Sequence, residues 1–412
     1  MTATLGIDFG TSNSAAGFVR DGAPHLVDMG DGATTLPTAV FFDFDARVMR
    51  MGHPAQAALL DGVEGRFMRA LKRVLGTSLM HEKRQLLNER VTFVDIIARF
   101  LAQMKARAEA EAGHAFNRVL SGRPVVFHGT DDPREAQAEA DLRACYIAAG
   151  FGEVAFLAEP EAAAIAAGAT DGATGLIVDI GGGTSDFSVF RVAGGAVQIL
   201  ANHGVRIGGT DFDRAVSIAQ VMPQFGLGTA LRNAIGPGTL PAPKGVFHDL
   251  ATWEKIPFLY SARTLRDAKT MAQQAEDAAR FERLVTVLEH ELGHDVAFAV
   301  EAGKIAANGN AAGAQIDLRQ VERDLTVPTD AVTLRQVLEP FGDTLHQGLR
   351  DTFAHANCTA GDIDQVIYVG GSSLMTLVTD VVRATCPNAQ HSFADVFTAV
   401  ADGLAIAASR RT

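Results

Sequence analysis

Leu5-Gly6-Ile7-Asp8-Phe9-Gly10-Thr11-Ser12 combines an apolar run, an aspartate and a glycine turn with hydroxyl side chains. Leu176-Ile177-Val178-Asp179-Ile180-Gly181-Gly182-Gly183-Thr184-Ser185 has the same design later in the chain. Each stretch predicts a buried strand that carries one carboxylate into a tight turn, where backbone N–H groups and hydroxyls can bind an anion. Because the design occurs twice, we expect two duplicated lobes that hold a phosphate chain between them.

The two aspartates are candidates for a magnesium site. Glycine lets a backbone approach a ligand closely, and a concave row of N–H donors binds phosphate oxygens without a counter-charge. Mg2+ keeps most of its water ligands and is typically bound through one or two carboxylates together with substrate phosphates. Asp8 and Asp179, one from each stretch, would be a sufficient contribution from the protein.

Length and composition predict a globular protein of two lobes. A chain of 412 residues is too long for one hydrophobic core and suits two lobes of about 200 residues. Hydrophobic residues make up 47% of the chain, enough to fill two cores. The net charge of -12, without a block of Lys and Arg, argues against a nucleic-acid-binding surface.

The cysteines and the N-terminal residues predict a reduced, cytoplasmic setting. Cys145, Cys358 and Cys386 form neither a C-x-x-C pair nor an even disulfide framework. The first strand is expected from Thr4, with no basic and apolar segment of the signal-peptide type before it. No run of about 18 apolar residues occurs, so we expect no membrane association.

Alternating strands and helices predict an α/β fold with mixed sheets. Apolar residues at helical spacing predict an amphipathic helix from Phe93 to Glu111. A strand over 124–127, a helix over 135–149 and a strand over 154–157 are expected next. Helices that alternate with strands in this way are typical of parallel sheets.

A helix of small residues follows directly. In Glu159–Gly168, Pro160 lies near the helix start, where its missing N–H is tolerated, and alanines fill the rest. Such a helix permits very close packing and suits a hinge between lobes, with Glu159 at its mouth.

The second half of the chain contains a loop, helices and a third glycine strand. Residues 226–245 are crowded with Gly and Pro and predict a long irregular loop. A polar helical pattern covers about 261–308. Val366–Ser373 is an apolar strand that runs into glycines, and 398–409 predicts a final Ala-rich helix.

Five ordered motifs resemble the ATPase domain of the seventy-kilodalton heat-shock chaperones, members of the actin-like ATPase superfamily. They extend from about Leu5 to Ala408 and are Asp8-Phe9-Gly10-Thr11-Ser12, Glu159-Pro160 with its alanines, Asp179 to Asp186, Gly208-Gly209-Thr210-Asp211-Phe212-Asp213 and Val369-Gly370-Gly371-Ser372. The resemblance implies a two-lobed actin-like (ribonuclease H-like) fold with a nucleotide cleft. Lobe I would comprise residues 1–172 and about 388–412, and lobe II 173–387, with a helical subdomain at about 210–335.

The resemblance also implies a site for ATP or ADP with Mg2+. Lys72 matches the family's catalytic lysine, and its ammonium would stabilise charge on the transferring phosphate. Asp8 and Asp179 would organise hydrated Mg2+. Glu159 and Asp179 would orient the attacking water or accept its proton, and Thr184 would offer a hydroxyl to phosphate or water.

Further residues are implied for the rest of the nucleotide. Asp186 would contact the metal shell or a monovalent cation such as K+. Phosphates would be bound by the glycine motifs, which supply Gly10, Thr11, Ser12, Asn13, Gly181, Gly182, Gly183, Gly208 and Gly209. Glu301 and Lys304 lie one helical turn apart and would hold the ribose. The adenine pocket would be lined by Gly370, Gly371 and Ser372.

Three positions depart from the family pattern. Leu374 stands where an arginine is usual, and Phe397 aligns near an expected aspartate, so details of the adenine pocket differ. The family's switch proline, expected after Pro124, is replaced near Phe127 or His128. We therefore expect signalling between the lobes to differ as well.

A competing motif is His290-Glu291-Leu292-Gly293-His294, the H-E-x-x-H pattern of zinc proteases. On one helix the two histidines could bind Zn2+, with Glu291 as general base. Ala297 stands where the extended pattern needs glycine, and only a weakly placed acid such as Glu322 could substitute as a third ligand. Gly293 also weakens the helix. We expect a solvent-facing helix here.

Other phosphate-binding folds fit less well. The chain has neither a G-x-x-x-x-G-K-[ST] loop nor a G-x-G-x-x-G after a strand. Sugar kinases share the two-lobed grip but need an aspartate base that cannot be identified here. Filament-forming actin-like proteins share it too, yet Lys72 and residues 208–213 are more similar to the chaperones.

The expected function is slow ATP hydrolysis that drives lobe closure and interaction with an unknown protein partner or client. The chain stops at residue 412, where the chaperones continue into a peptide-binding domain, so we expect a stand-alone chaperone-like relative. The main alternative is a nucleotide-gated binding or regulatory module with little turnover. A small-molecule kinase and a filament-forming ATPase are further alternatives.

Overall fold

The computed structural model describes residues 3–128, 132–233, 236–393 and 396–411. The chain divides into two compact units. The first consists of Met1–Val205, His346–Leu374 and Val382–Thr412, and the second of Arg206–Leu345 and Met375–Val381. The lobes predicted above divide the chain at residue 172, inside the first unit, and that division stays a prediction.

A six-stranded mixed sheet forms one half of the first unit. Its strands lie in the order Glu153–Ala158, Arg118–Arg123, Thr4–Phe9, Asn13–Arg20 and Ala23–Leu26, and Leu36–Pro37 also pairs with Asn13–Arg20. Thr4–Phe9 is parallel to Arg118–Arg123 and antiparallel to Asn13–Arg20. The central strand is therefore the one that ends in the first aspartate-glycine turn.

A five-stranded sheet in the same unit repeats this topology. Its order is Ala196–Val205, Ser185–Ala193, Thr174–Ile180, Gln365–Val369 and Gln390–Ser392. Thr174–Ile180 is antiparallel to Ser185–Ala193 and parallel to Gln365–Val369. Both sheets thus join an antiparallel hairpin to a parallel set, and the predicted α/β class with duplicated mixed sheets is confirmed.

Smaller sheets complete the strand content of the described residues. A three-stranded sheet is formed by Val48–Met51, Ala39–Asp43 and Gly65–Arg69. Two-stranded ribbons pair Arg84–Leu86 with Glu89–Val91, Ala230–Arg232 with Thr239–Pro241, and Gln315–Asp317 with Thr326–Pro328.

The helices are distributed over both units. Those of the first unit are His53–Leu60, Phe93–Ala112, Arg134–Ala148, Glu159–Ala166 and Ala399–Ser409. Those of the second are Gly209–Val216, Gly245–Leu250, Ala262–Gln274, Ala278–Glu289, Gly293–Asn308 and Ala331–Leu338. Gly342–His355 and Thr376–Thr385 each include residues of both units. No helix in the described ranges combines the length and the apolar character needed to cross a bilayer.

The helix Phe93–Ala112 confirms the predicted amphipathic pattern. Thr92 caps it, because its side chain accepts from the Asp95 N–H while the Asp95 carboxylate accepts from the Thr92 N–H. Ile97, Phe100 and other members of the apolar stripe are fully buried in the core of the first unit.

Two segment predictions need correction. The strand expected at 124–127 instead covers Arg118–Arg123 and ends before Pro124, which has no N–H to donate to a sheet. Residues 226–245 are not simply an irregular loop, since Ala230–Arg232 and Thr239–Pro241 pair as a ribbon. The sequence did not predict these short strands, because Gly and Pro are frequent among the neighbouring residues.

The final helix packs closely in the first unit, and small residues make this possible. A Cβ on Gly6 would lie 2.8 Å from the backbone of Leu404 and Ala405. A Cβ on Gly403 would collide with the carbonyl oxygen of Ala162, a fully buried residue of Glu159–Ala166. The helix that carries Glu159 is therefore held at its alanine face by the last helix.

Candidate functional site

The two aspartates occupy matching positions in the two sheets. Asp8 lies one residue before the end of Thr4–Phe9, and Asp179 lies one residue before the end of Thr174–Ile180. In the antiparallel hairpins Asp8 faces Ala15 across the strands, and Asp179 faces Asp186. The second hairpin therefore brings two carboxylates to the position where the first brings one.

The first glycine turn is tight and exposed. A Cβ on Gly10 would collide with the carbonyl oxygen of Asn13, so the turn excludes any larger residue. The N–H of Thr38 donates to the carbonyl of Ser12 at 2.8 Å and anchors the turn. The side chains of Ser12 and Asn13 are exposed, which leaves them accessible to a ligand.

The second glycine turn is closed by a backbone hydrogen bond. The N–H of Gly181 donates to the carbonyl of Thr184 at 3.0 Å. Thr184 is exposed, and its side chain is hydrogen-bonded to Asp186. The guanidinium of Arg73 occupies the space that a Cβ on Gly183 would need, so this glycine admits an arginine onto the turn.

Lys72 and Glu159 form an ion pair with side chains only 10% and 15% exposed. Lys72 lies in the 3-10 turn Leu71–Val74, and Glu159 is the first residue of the helix Glu159–Ala166. Gly122, on the strand Arg118–Arg123, leaves room for Glu159, because a Cβ there would lie 3.3 Å from the Glu159 Cγ. The ion pair thus brings together two residues that are 87 positions apart in the chain.

The segment that carries Lys72 is anchored by a buried carboxylate. Asp141 is 1% exposed and accepts hydrogen bonds from the Gly76 N–H at 2.8 Å and from the Gln137 amide at 2.7 Å. The His81 Nε2 lies 3.0 Å from the same carboxylate. On the other side, the His128 Nε2 lies 2.7 Å from the Leu75 carbonyl. His128, one of the two candidates to replace the switch proline, therefore contacts the lysine segment.

Burial raises the pKa values of the aspartates. Burial is the main cause of the rise in the Asp8 pKa to about 7, and the nearby Glu159 carboxylate adds to it. Burial likewise raises the pKa of Asp179 well above its usual value, with repulsion from Glu159 and Asp186. The pKa of Asp186 is raised mainly by burial as well.

Lys72 responds in the opposite way. Burial alone would lower the pKa of its ammonium, but the charges of Glu159, Asp8 and Asp179 outweigh burial and raise the pKa. The ammonium therefore stays charged and in turn lowers the pKa values of Asp8 and Asp179. The lowering by the Lys72 charge is smaller than the rise caused by burial and carboxylate repulsion, so the pKa values of both aspartates remain raised.

We call Asp8, Lys72, Glu159, Asp179 and Asp186 the carboxylate–lysine cluster. Its raised aspartate pKa values show an excess of poorly solvated negative charge, which a bound cation would relieve. The described ranges contain no group of three or more His, Cys, Asp or Glu side chains set to hold a metal directly. The excess of carboxylates is what suits a hydrated Mg2+, which needs one or two of them and takes most of its ligands from water and phosphate.

The third glycine motif adjoins the cluster. Gly370 has φ 78°, and a Cβ on it would lie 2.5 Å from the Ile180 carbonyl oxygen and 3.1 Å from the Asp179 Oδ1. A glycine is required here for both reasons. The motif predicted to line the adenine pocket is thus directly against the second aspartate strand.

The other predicted ligands lie in the second unit. Gly208 directly precedes the helix Gly209–Val216, and its N–H donates to the Asp211 carboxylate at 3.0 Å. Lys304 is buried and pairs with Asp213 at 2.7 Å, whereas Glu301 is exposed. The two predicted ribose residues therefore differ in surroundings, and their role stays a prediction.

The H-E-x-x-H pentapeptide does not lie on one helix. Ala278–Glu289 ends before His290, Glu291 has φ 55°, and Gly293 begins the next helix. His294 is buried, with its ring centroid 4.6 Å from that of Trp253. The turn between the helices removes the i,i+4 geometry that a zinc pair needs. The prediction of a solvent-facing helix is therefore wrong, because the segment contains a break between two helices and His294 is buried.

Several residues near the cluster were not identified from the sequence. Arg73 could have been suggested by its position beside Lys72, but its contact with Gly183 could not. Ser121 donates to the Tyr146 hydroxyl at 2.9 Å inside the first unit, and burial raises the pKa of Tyr146. Nothing in the local sequence of this pair indicates that it lies near Asp8.

Comparison with known proteins gives a consistent result. The family model described as Hsp70 protein matches residues 4–226. The Chaperone protein DnaK of Thermoplasma acidophilum is 34% identical over 224 residues, which are 52% of this chain and 35% of that protein. The Chaperone protein DnaK of Metamycoplasma hominis is 26% identical over 385 residues, 92% of this chain and 54% of that protein.

A third relative covers the chain almost completely. The Chaperone protein DnaK of Cenarchaeum symbiosum is 25% identical over 416 aligned positions, 99% of this chain and 54% of that protein. The chain thus spans about half the length, or less, of the curated relatives it matches.

Proposed function

The chain belongs to the Hsp70 protein family, and from that premise we propose that it binds Mg-ATP at the carboxylate–lysine cluster and hydrolyses it slowly. The observation that supports this most directly is the buried Lys72–Glu159 ion pair beside Asp8 and Asp179. Phosphoryl transfer requires little covalent chemistry from a protein, so catalysis rests on positioning and on charge stabilisation.

The side chains of the cluster have separable roles. The Lys72 ammonium, which stays charged despite burial, stabilises negative charge that develops on the transferring phosphate. Glu159 orients the ammonium through the ion pair and holds the attacking water. Asp179, whose pKa is raised by burial, accepts the proton of that water. The exposed Thr184 hydroxyl offers a hydrogen bond to phosphate or water.

Metal and nucleotide complete the proposed site. Mg2+, when bound, would neutralise phosphate charge, with Asp8, Asp179 and Asp186 as its protein neighbours. The turns at Gly10–Asn13 and Gly181–Gly183 would bind phosphate oxygens through backbone N–H groups. A monovalent cation such as K+ at Asp186, ribose at Glu301 and Lys304, and adenine at Gly370–Ser372 belong to the same proposal.

The output of the site would be closure of the two lobes around ATP and a changed interaction with another protein. The support is the relatives' description as chaperone proteins, together with the helix Glu159–Ala166. This helix carries Glu159 at one end and packs on the last helix along its alanine face. A movement of Glu159 would therefore be passed on to a packed element. A cytoplasmic location is part of this proposal.

Phosphate release with Mg-ATP tests the proposed hydrolysis. We expect measurable turnover by the wild type and a rate lower by about 100-fold or more in Lys72→Ala, the effect of removing one preorganised charge-stabilising group. Lys83→Ala is the matched control, because Lys83 is an exposed lysine of the same region and should leave the rate unchanged. Isothermal titration calorimetry with ATP and ADP measures binding separately.

The outcomes distinguish the alternatives. Equal rates for the wild type and Lys72→Ala would remove the catalytic role of Lys72. Tight binding of ATP without turnover in the wild type would favour the nucleotide-gated binding module. Pull-downs with the purified protein in ATP and in ADP would test the partner proposal, which requires a protein retained in one state only.

A further inference from the structure

An exposed aromatic ring lies on the glycine motif beside the carboxylate–lysine cluster. The Cε1 of Phe397 is 2.6 Å, and its Cζ 3.1 Å, from the position that a Cβ on Gly371 would take. The ring therefore rests on the glycine backbone, and any side chain at Gly371 would displace it. The preceding residue, Val396, accepts a 2.7 Å hydrogen bond from the Gly370 N–H, which holds this segment against the motif.

The position of the ring relates it to the proposed phosphate site. Gly370 is in contact range of the Asp179 carboxylate, since its Cβ position is 3.1 Å from the Asp179 Oδ1. Gly371 follows one Cα step, 3.8 Å, further along the chain. The aromatic ring and the carboxylate thus contact neighbouring residues of one motif, so a single ligand can reach both.

The ring is accessible, and a second exposed apolar side chain belongs to the same glycine motif's turn. Phe397 is 59% exposed, although most of the large aromatic side chains with a stated burial are in the core. Leu374, the last residue of the 3-10 turn Gly371–Leu374, is 37% exposed. A single exposed apolar side chain needs no explanation. Here two of them adjoin the same motif, since Phe397 rests on Gly371 and Leu374 ends the turn that Gly371 begins.

We propose that Phe397 is the base-stacking residue of the nucleotide site, and that the base is held by its ring face on Phe397, with Leu374 beside it. This inference rests on the proposed function, because it assumes a nucleotide whose phosphates are bound at the cluster. Stacking on an aromatic ring accepts every nucleobase, since each has a π-face. Phe397 therefore strengthens the binding of adenine and guanine nucleotides alike.

Titration calorimetry on the full chain tests this inference with three ligands. Mg-ATP, Mg-GTP and magnesium tripolyphosphate are titrated into the wild type, Phe397→Ala and Phe397→Tyr. We expect Phe397→Ala to bind both nucleotides roughly ten-fold more weakly, while Phe397→Tyr stays within about two-fold of the wild type. Tripolyphosphate has no base, so its affinity should be the same in all three proteins.

A matched control separates local from general effects. Phe44 is also an exposed phenylalanine of the first unit, at 44%, and lies after the strand Ala39–Asp43. Phe44→Ala should leave all three affinities unchanged. Thermal unfolding of each variant checks folding, which an exposed substitution should preserve.

Each alternative result has a definite meaning. Unchanged ATP affinity in Phe397→Ala would overturn the stacking role. An equal loss for ATP and tripolyphosphate would overturn it as well, because it would indicate a change at the phosphate site. Wild-type protein that binds tripolyphosphate and ATP equally well would refute base recognition but leave the phosphate site intact. Binding of neither ligand would refute the proposed function itself, and the stacking role with it.

Discussion

Replacing Asp8 with Asn should stabilise the nucleotide-free protein, and increasingly so as the pH rises. Asp8 has a folded-state pKa of about 7 against an ordinary value of 3.8, chiefly because it is buried and secondarily because Glu159 repels it. Between these two values the folded state binds more protons than the unfolded state. Stability therefore falls as the pH rises through this range, and the fall is complete above the folded-state pKa.

The size of the effect follows from the pKa difference. One pKa unit corresponds to about 1.4 kcal/mol, so the raised pKa of Asp8 lowers stability by about 4 kcal/mol at pH 8 and by about 1.5 kcal/mol at pH 5, relative to a side chain that stays uncharged. Asn has the same shape and carries no charge. Any fixed effect of its amide cancels between the two pH values, so the advantage of Asp8→Asn over the wild type should grow by about 2.5 kcal/mol from pH 5 to pH 8.

Urea unfolding followed by circular dichroism measures this difference. Fluorescence would be a poor probe, since Trp253, the one tryptophan of the chain, lies in the second unit and Asp8 in the first. The same variant should lose Mg-dependent ATP turnover, because it removes a carboxylate proposed to face the metal. A gain in stability combined with a loss of activity is characteristic of a functional carboxylate.

Asp43→Asn is the control. Its pKa is lowered by hydrogen bonds from the Ala46 N–H at 2.7 Å and from Arg50, so its stabilising effect is complete above the ordinary pKa and lost only in acid. Asp43→Asn should therefore destabilise the protein equally at pH 5 and pH 8. Parallel changes in the stability of Asp8→Asn and the wild type between these two pH values would show that Asp8 does not have a raised pKa in the folded protein.

Three further substitutions probe the surroundings of the cluster. Arg73→Ala removes the guanidinium that lies on Gly183, and steady-state phosphate release should be about 100-fold slower. Asp141→Ala removes the carboxylate that anchors the lysine segment, and urea unfolding should show a loss of about 3 kcal/mol together with a lower turnover rate. Gly403→Ala forces a methyl group against the Ala162 carbonyl, and the unfolding midpoint should fall by an amount equivalent to about 3 kcal/mol.

Matched variants show which outcomes would contradict these expectations. Arg66→Ala changes an exposed arginine, so a rate loss as large as that of Arg73→Ala would mean a general charge effect. Asp267→Ala changes a side chain that is 68% exposed and should keep the wild-type stability. Gly245→Ala adds a methyl group with no atom within 4 Å, and equal destabilisation by Gly403→Ala and Gly245→Ala would exclude steric overlap as the cause.

The strands and turns of the site were predictable because their signals are local. An apolar run before an aspartate and a glycine predicts a buried strand and a tight turn without reference to the rest of the chain. Thr4–Phe9 and Thr174–Ile180 follow that pattern closely. Local spacing gave a wrong prediction at His290–His294, where the pattern fits one helix but the chain turns between two helices. The Tyr260 hydroxyl, 33 residues away, accepts from the Gly293 N–H there.

Contacts between residues far apart in the chain could not be predicted from the sequence. Lys304 was predicted to hold the ribose together with Glu301, and that role stays a prediction. Its ion pair with Asp213, which lies 91 positions earlier in the chain, was not predicted. Likewise, the sequence marked Phe397 only as a departure from the family pattern. Its contact with Gly371, 26 positions earlier in the chain, has no signal in the local sequence.

The sequence by itself determined the two duplicated aspartate turns, the α/β class and the candidates Lys72 and Glu159, because each depends on neighbouring residues or on a matched motif. Only the tertiary structure decided that Lys72 pairs with Glu159, that Arg73 covers Gly183 and that an exposed aromatic ring lies on Gly371. Burial and charge at the cluster are sums over residues from several strands and helices. The raised pKa values of Asp8 and Asp179 therefore exist only once the chain has folded.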